Sequence, residues 1–143
     1  MNQREIYSSR ILNAPLAKVY AAFENPELLK LWWGPEGFTN TIHEFNLKPG
    51  GNWRLTMHGS EQGHYENAAV FTVVIPHQKV AWQRSTPPLF AMEVAFLALE
   101  AHQTQISFNM IFDSVEACEK IRTFVEPKNE ENFNRLERVL MDD

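Results

Sequence analysis

His58 and His64 stand on either side of a turn bounded by Gly59 and Gly63. If the chain folds there into a hairpin, the two imidazoles face one another. Glu66, two residues beyond His64, shares its strand face. Two histidines and a carboxylate are ligand types for zinc or iron. No third histidine follows in register, so the expected role is a turn-stabilising pair, and neither a metal nor a cofactor is expected. As acid–base groups, His43, or His64 with Glu66, are the only catalytic candidates, and each needs to open into a substrate cavity. Arg54 and Arg84 are of a type that orients a polar substrate end, although solvent-facing arginines are the ordinary case. The chain has no glycine-rich phosphate loop, serine nucleophile elbow or metalloprotease helix. Its one cysteine, Cys118, falls in an apolar helical stripe and reads as a structural thiol.

Aromatic residues are the second conspicuous group. Trp32 and Trp33 are adjacent, so on a helix their side chains diverge by roughly 100°. One can anchor that helix while the other reaches a cavity or its entrance; both can equally be packing residues. Trp53, Leu55 and Met57 alternate along one strand face and admit the same two readings, cavity lining or filled core. Met57 and Met110 suit either, because methionine adapts to irregular space.

The elements that must position these residues are legible from punctuation and period. Residues 6–11 read as a strand. Pro15 opens a short helix with Leu16, Val19, Tyr20 and Phe23 on one face. Asn25-Pro26-Glu27 supplies a cap, a first-turn proline and a first-turn acid for a second helix, which Gly34-Pro35-Glu36-Gly37 ends. Six strands follow, over 38–47, 52–58, 64–75, 79–84, 92–100 and 103–112. Ala101-His102 joins the last two as a hairpin. Asp113 or Ser114 caps a short helix carrying Val115, Cys118, Ile121 and Phe124. Glu126-Pro127-Lys128-Asn129 is read as a break before a final helix over 130–141, with Phe133, Leu136 and Leu140 on one face.

Composition excludes several classes. The 143 residues carry 13 Lys+Arg against 18 Asp+Glu, a formal charge of −5, with no basic run to follow a phosphate backbone. Nucleic acid is not an expected partner. No apolar run approaches the roughly 20 residues that span a bilayer, so no membrane is expected either. The first ten residues are polar and do not read as a signal peptide, and one cysteine allows no internal disulfide. A cytoplasmic location and one domain over 1–143 are the expectations.

Several strings together carry a resemblance. They are Ala14-Pro15 with Val19 and Phe23; Asn25-Pro26-Glu27-Leu28-Leu29 with Leu31-Trp32-Trp33-Gly34-Pro35; Pro49-Gly50-Gly51-Asn52-Trp53; Met57-His58-Gly59, Gly63, Tyr65 and Asn67; Trp82; and Phe133-Asn134-Arg135-Leu136. In this order they resemble the bacterial family related to the carboxy-terminal domain of the heat-shock-protein-90 ATPase activator (AHSA-type). That family belongs to the START-like, or polyketide cyclase-like (SRPBCC), superfamily. The resemblance implies an α+β helix-grip fold: a curved antiparallel sheet wrapped around a C-terminal helix, with an internal cavity. On that fold the lining candidates are Trp33, Phe38, His43, Trp53, Leu55, Met57, Phe108, Met110, Phe133 and Leu136. The expected function is non-catalytic binding of a small apolar or amphipathic molecule. A cofactor-independent cyclase or dehydratase is the alternative, and a chaperone co-regulator the third reading. A homodimer through a sheet edge or the tryptophan-rich opening is a further expectation. These 143 residues show no counterpart of the activator's amino-terminal chaperone-binding domain. Glu126-Pro127-Lys128-Asn129 stands where many relatives have a glycine.

Overall fold

The computed structural model describes residues 3–59 and 63–141. The strands are β1 (Glu5–Leu12), β2 (Thr39–Phe45), β3 (Asn52–His58), β4 (His64–Ile75), β5 (Lys79–Arg84), β6 (Ala91–Glu100) and β7 (Gln103–Ile111). The helices are α1 (Leu16–Glu24), α2 (Pro26–Trp32) and α3 (Val115–Met141). The expected turn between β3 and β4 includes residues 60–62, which lie outside the described residues.

The short helices form where local chemistry dictates. Pro15 sits at the α1 N-terminus, where a missing N–H costs nothing. The Asn25 side chain accepts the Glu27 N–H at 3.0 Å, and Pro26 occupies the first turn of α2. Ser114 rather than Asp113 caps α3, its hydroxyl oxygen accepting the Ala117 N–H at 3.1 Å. On β7, Thr104, Ile106, Phe108 and Met110 are buried and their neighbours half-buried, the alternation of a sheet covered on one side.

All seven strands join one antiparallel sheet in the order β1-β7-β6-β5-β4-β3-β2. The strands from β2 to β7 are a meander, and β1 adds beyond β7. The expected element order is therefore present, but the expected shape is not. The sheet is open, with β1 and β2 at its two edges and no pairing between them. It is not a curved sheet wrapped around the terminal helix, and among the described residues its inner face carries a packed aromatic core. Three helices, not one, cover the inner face: α3 lies against β1, α2 against β2 and α1 against β6 and β7. Bulky rings fill the space beneath them. Phe23, Trp32, Phe108 and Phe133 have no exposure at all, and Phe71, Trp53 and Trp82 have 3% or less.

A second correction concerns the terminus. The expected break at Pro127 does not occur, and α3 is one helix of 27 residues with Pro127 inside it. Pro127 removes the hydrogen bond to the Thr123 carbonyl at a cost of about 3 kcal/mol. Against this, the stripe of Cys118, Ile121, Val125, Asn129, Phe133, Leu136 and Leu140 keeps one face toward the core on both sides of the proline. Burying Phe133 and Leu136 alone contributes about 1.5–3 kcal/mol each, enough to outweigh it. Pro127 itself is exposed.

Candidate functional site

The sheet has two chemically different faces, and β3 shows both. Trp53 and Leu55 point inward, while Arg54 and His58 lie with Thr56 on the outer face. Inside, Trp33 ties the helices to the sheet. Its ring lies 5.2 Å from Trp53, 5.7 Å from Trp82 and 5.8 Å from Phe108, and Phe108 is 4.6 Å from Phe133 of α3. Trp53 stacks on Phe71 with 5° between planes. The adjacent tryptophan does other work: Trp32 is fully buried and donates its indole N–H to the Ala22 carbonyl at 2.9 Å, pinning α2 to α1.

Three polar atoms on the inner side have no partner among the described residues. The Trp53 indole N–H and the Asn132 amide oxygen are both without hydrogen bonds, in residues 2% and 6% exposed. Asn40 Oδ1, on the inner side of β2, is a third. Asn109 Oδ1 is also unpartnered but belongs to the outer side of β7. Each such group costs about 1–3 kcal/mol when left dry. Asn129, one turn before Asn132, is satisfied instead, donating to Ser8 Oγ at 3.2 Å.

One end of the interior is less sealed. Trp33 and Met57 are only partly buried, and Phe38 rests on Tyr65 with ring centres 6.1 Å apart. Gly34 has φ +96°, a backbone conformation that favours glycine, and a Cβ there would also have to push aside the terminal methyl of Met57, 2.7 Å away. The loop over 33–38 is tied to α3 by Arg135. Its Nη1 donates to the carbonyls of Trp33, Gly34 and Pro35 at 2.9–3.0 Å, and its Nη2 to that of Leu31 at 2.9 Å. Burial pushes the Arg135 guanidinium below its usual value. Arg138 adds an ion pair to Glu36 at 2.6 Å, and Glu131 accepts the Glu36 N–H. The Arg138 hydrogen bond holds Glu36 below the usual carboxylate range.

The outer face carries the titratable residues singled out from the sequence. The β2–β3 register slips between Ile42 and Glu44, making His43 the extra residue of a bulge. His43 Nε2 lies 2.7 Å from Thr56 Oγ1, whose hydroxyl donates to Glu66 Oε2 at 2.8 Å. His58 and His64 are direct cross-strand partners, with Nδ1 atoms 2.8 Å apart, and His58 Nε2 lies 2.8 Å from Thr41 Oγ1. His43, His64 and Glu66 are exposed and sit on the far side of the sheet from α3. Trp53, Leu55, Phe108, Met110, Phe133 and Leu136 are packed into the core, while Trp33, Phe38 and Met57 mark its less sealed end. Cys118 is fully buried, and burial raises its thiol pKa. Arg84 faces the 86–88 turn, donating to the Pro88 carbonyl at 2.9 Å.

Open grooves run along both sheet edges. One of about 410 Å³ lies between α2 and β2, lined by Glu27, Lys30 and residues 40–45. Another, of about 540 Å³, lies between β1 and the Pro127 region of α3. Among the described residues no group of three or more His, Cys, Asp or Glu is placed to hold a metal ion. Among the described residues no helix is long and apolar enough to cross a membrane.

The bulge at His43 and the burial of Asn129, Asn132 and Arg135 escape the sequence reading. The spacing of Asn129 and Asn132 ahead of Phe133 and Leu136 is the signal that could have found those two asparagines.

Solved structures share the arrangement. A protein from Arthrobacter aurescens superposes with a TM-score of 0.89 at 20% identity, covering 99% of this chain and 88% of its own. One from Nitrosomonas europaea gives 0.87 at 18%, covering 97% and 95%. The AHSA1 protein from Silicibacter pomeroyi gives 0.78 at 16%, covering 96% and 97%. At these identities the likeness is one of fold. Among curated proteins nothing matches the sequence. The family model described as "Activator of Hsp90 ATPase homolog 1-like protein" matches residues 13–141, and the chain belongs to that family.

Proposed function

We propose that the protein binds a small apolar or amphipathic molecule between α3 and the sheet, without catalysing a reaction on it. The observation that carries this reading is the pair of buried polar atoms without partners, the Trp53 N–H and the Asn132 carbonyl oxygen. A donor and an acceptor left dry in an aromatic interior are a standing cost that a ligand bearing one polar group would relieve. Aromatic and aliphatic burial would supply most of the affinity. The space is filled in the free protein, so entry requires side chains to move. Trp33 and Met57 are suited to that, being partly buried and next to the loop over 33–38. Binding of this kind opens a minor conformation of the free protein.

The acid–base candidates do not support catalysis on a molecule held there, and His43 lines the separate groove between α2 and β2 instead. His43, His64 and Glu66 lie on the opposite face of the sheet and cannot touch a molecule held beneath α3. Native mass spectrometry of gently purified protein, followed by extraction and identification of the bound molecule, tests the reading. A mass adduct that releases an unchanged apolar molecule is expected, and Asn132→Leu should lose it. Retention of the same adduct by both Asn132→Leu and Trp53→Phe would contradict the assignment.

A further inference from the structure

We propose that His58 and His64 form a two-histidine chelate for a divalent late transition-metal ion, with Cu(II) preferred over Ni(II) and Zn(II). The site lies on the outer face of the sheet and is independent of the ligand reading above. His58 on β3 and His64 on β4 occupy opposed positions in the antiparallel register, so the backbone holds the two rings together. Their Nδ1 atoms are 2.8 Å apart, with the ring planes at 78°.

The 2.8 Å separation is that of a hydrogen bond between the two rings. Two nitrogens bound at about 2.0 Å to one ion are about 2.8–3.3 Å apart between a right angle and the tetrahedral angle, so the pair reaches a chelating separation with a shift of no more than about 0.5 Å. The choice of metal follows from the intrinsic affinity order for nitrogen ligands, in which Cu(II) stands highest. The two lone pairs need only turn toward a common point beside the Nδ1–Nδ1 line.

An outer partner is already in place. Thr41 Oγ1 meets His58 Nε2 at 2.8 Å, so an N–H on Nε2 donated to Thr41 leaves Nδ1 bare for the ion. His64 then carries the proton between the two rings. On binding, that proton passes through solvent to His64 Nε2; no electron is transferred. His64 is exposed, so the ion enters from solvent and water completes its coordination. His43 and Glu66 share this face but are engaged by Thr56, so among the described residues the histidine pair supplies the donors.

Calorimetric titration of the full chain with Cu(II), in a non-coordinating buffer and with electron paramagnetic resonance in parallel, tests the site. One ion per chain with an axial, nitrogen-coordinated spectrum is expected. His58→Gln and His64→Gln should each weaken binding by about tenfold or more, and Thr41→Val by up to about tenfold. His43→Gln should leave it unchanged. Paramagnetic broadening of amides around residues 58 and 64 in the unaltered chain gives a readout free of any folding defect. Wild-type Cu(II) affinity in the His58→Gln/His64→Gln double variant would overturn the proposal. Broadening centred elsewhere, or tighter binding of Zn(II) than of Cu(II), would do the same.

Discussion

Asn132 stands where a leucine would complete the apolar stripe of α3, and its amide oxygen has no partner. Asn132→Leu should therefore raise the stability of the free protein by about 1 kcal/mol, read from the urea midpoint, while abolishing ligand binding. A destabilised variant would mean that the amide is held by interactions the fold needs. Arg135 makes the opposite case. Its four carbonyl bonds bind the end of α2 and the loop after it to α3, and among the described residues no other buried cation replaces them. Arg135→Met should cost on the order of 3 kcal/mol, and Arg135→Lys should recover only part, because an ammonium cannot reach four carbonyls in a fork. Full stability in Arg135→Met, measured by chemical denaturation, would contradict this. That Trp32 and Trp33 diverge from one helix was legible from their adjacency, although which of them anchors it was not. Arg135 was not, because an arginine in a helix is normally solvated and only the tertiary position of α2 brings carbonyls to it.

At the scale of elements, β3, β4 and β5 begin and end where glycine, proline and alternation place them. The continuous α3 was hidden, because a proline between two stripes looks like a break until the shared packing surface is known. If that surface holds the helix together, Pro127→Ala should restore the Thr123 carbonyl bond and stabilise the protein by about 1–3 kcal/mol in thermal unfolding. A lower melting temperature would show that the proline serves the β1 groove instead. The loop between α2 and β2 should respond to acid. Glu36 titrates below its unfolded value because Arg138 hydrogen-bonds to it. Its contribution is therefore complete above the ordinary carboxylate range and lost as pH falls through the depressed folded value. Glu36→Gln should flatten that part of the stability–pH curve; an unchanged acid limb would remove the ion pair from the account.

For the whole molecule, the chain order of strands and helices could be read from periodicity and family resemblance, whereas the cover by α1 and α2 and the shape of the sheet could not. Whether seven strands close around one helix or lie open beneath three depends on how much of the inner face α1 and α2 occupy and on the volume of the rings below. Neither is visible in alternation alone. Phe23, Trp53, Phe71, Trp82 and Phe108 fill what a smaller set of side chains would leave empty. A ligand must therefore displace packing, beside the Trp53 indole and the Asn132 amide. The most direct measurement is the indole N–H resonance of Trp53 in a 1H–15N spectrum, assigned by its loss in Trp53→Phe. It is to be followed while phenols, aromatic ketones and medium-chain fatty acids are added. The account predicts that at least one of these classes shifts the Trp53 indole and the Asn132 side-chain amide together, and that Asn132→Leu removes the response. Binding of such compounds with the Trp53 indole unmoved, or no binding across the panel, would contradict it.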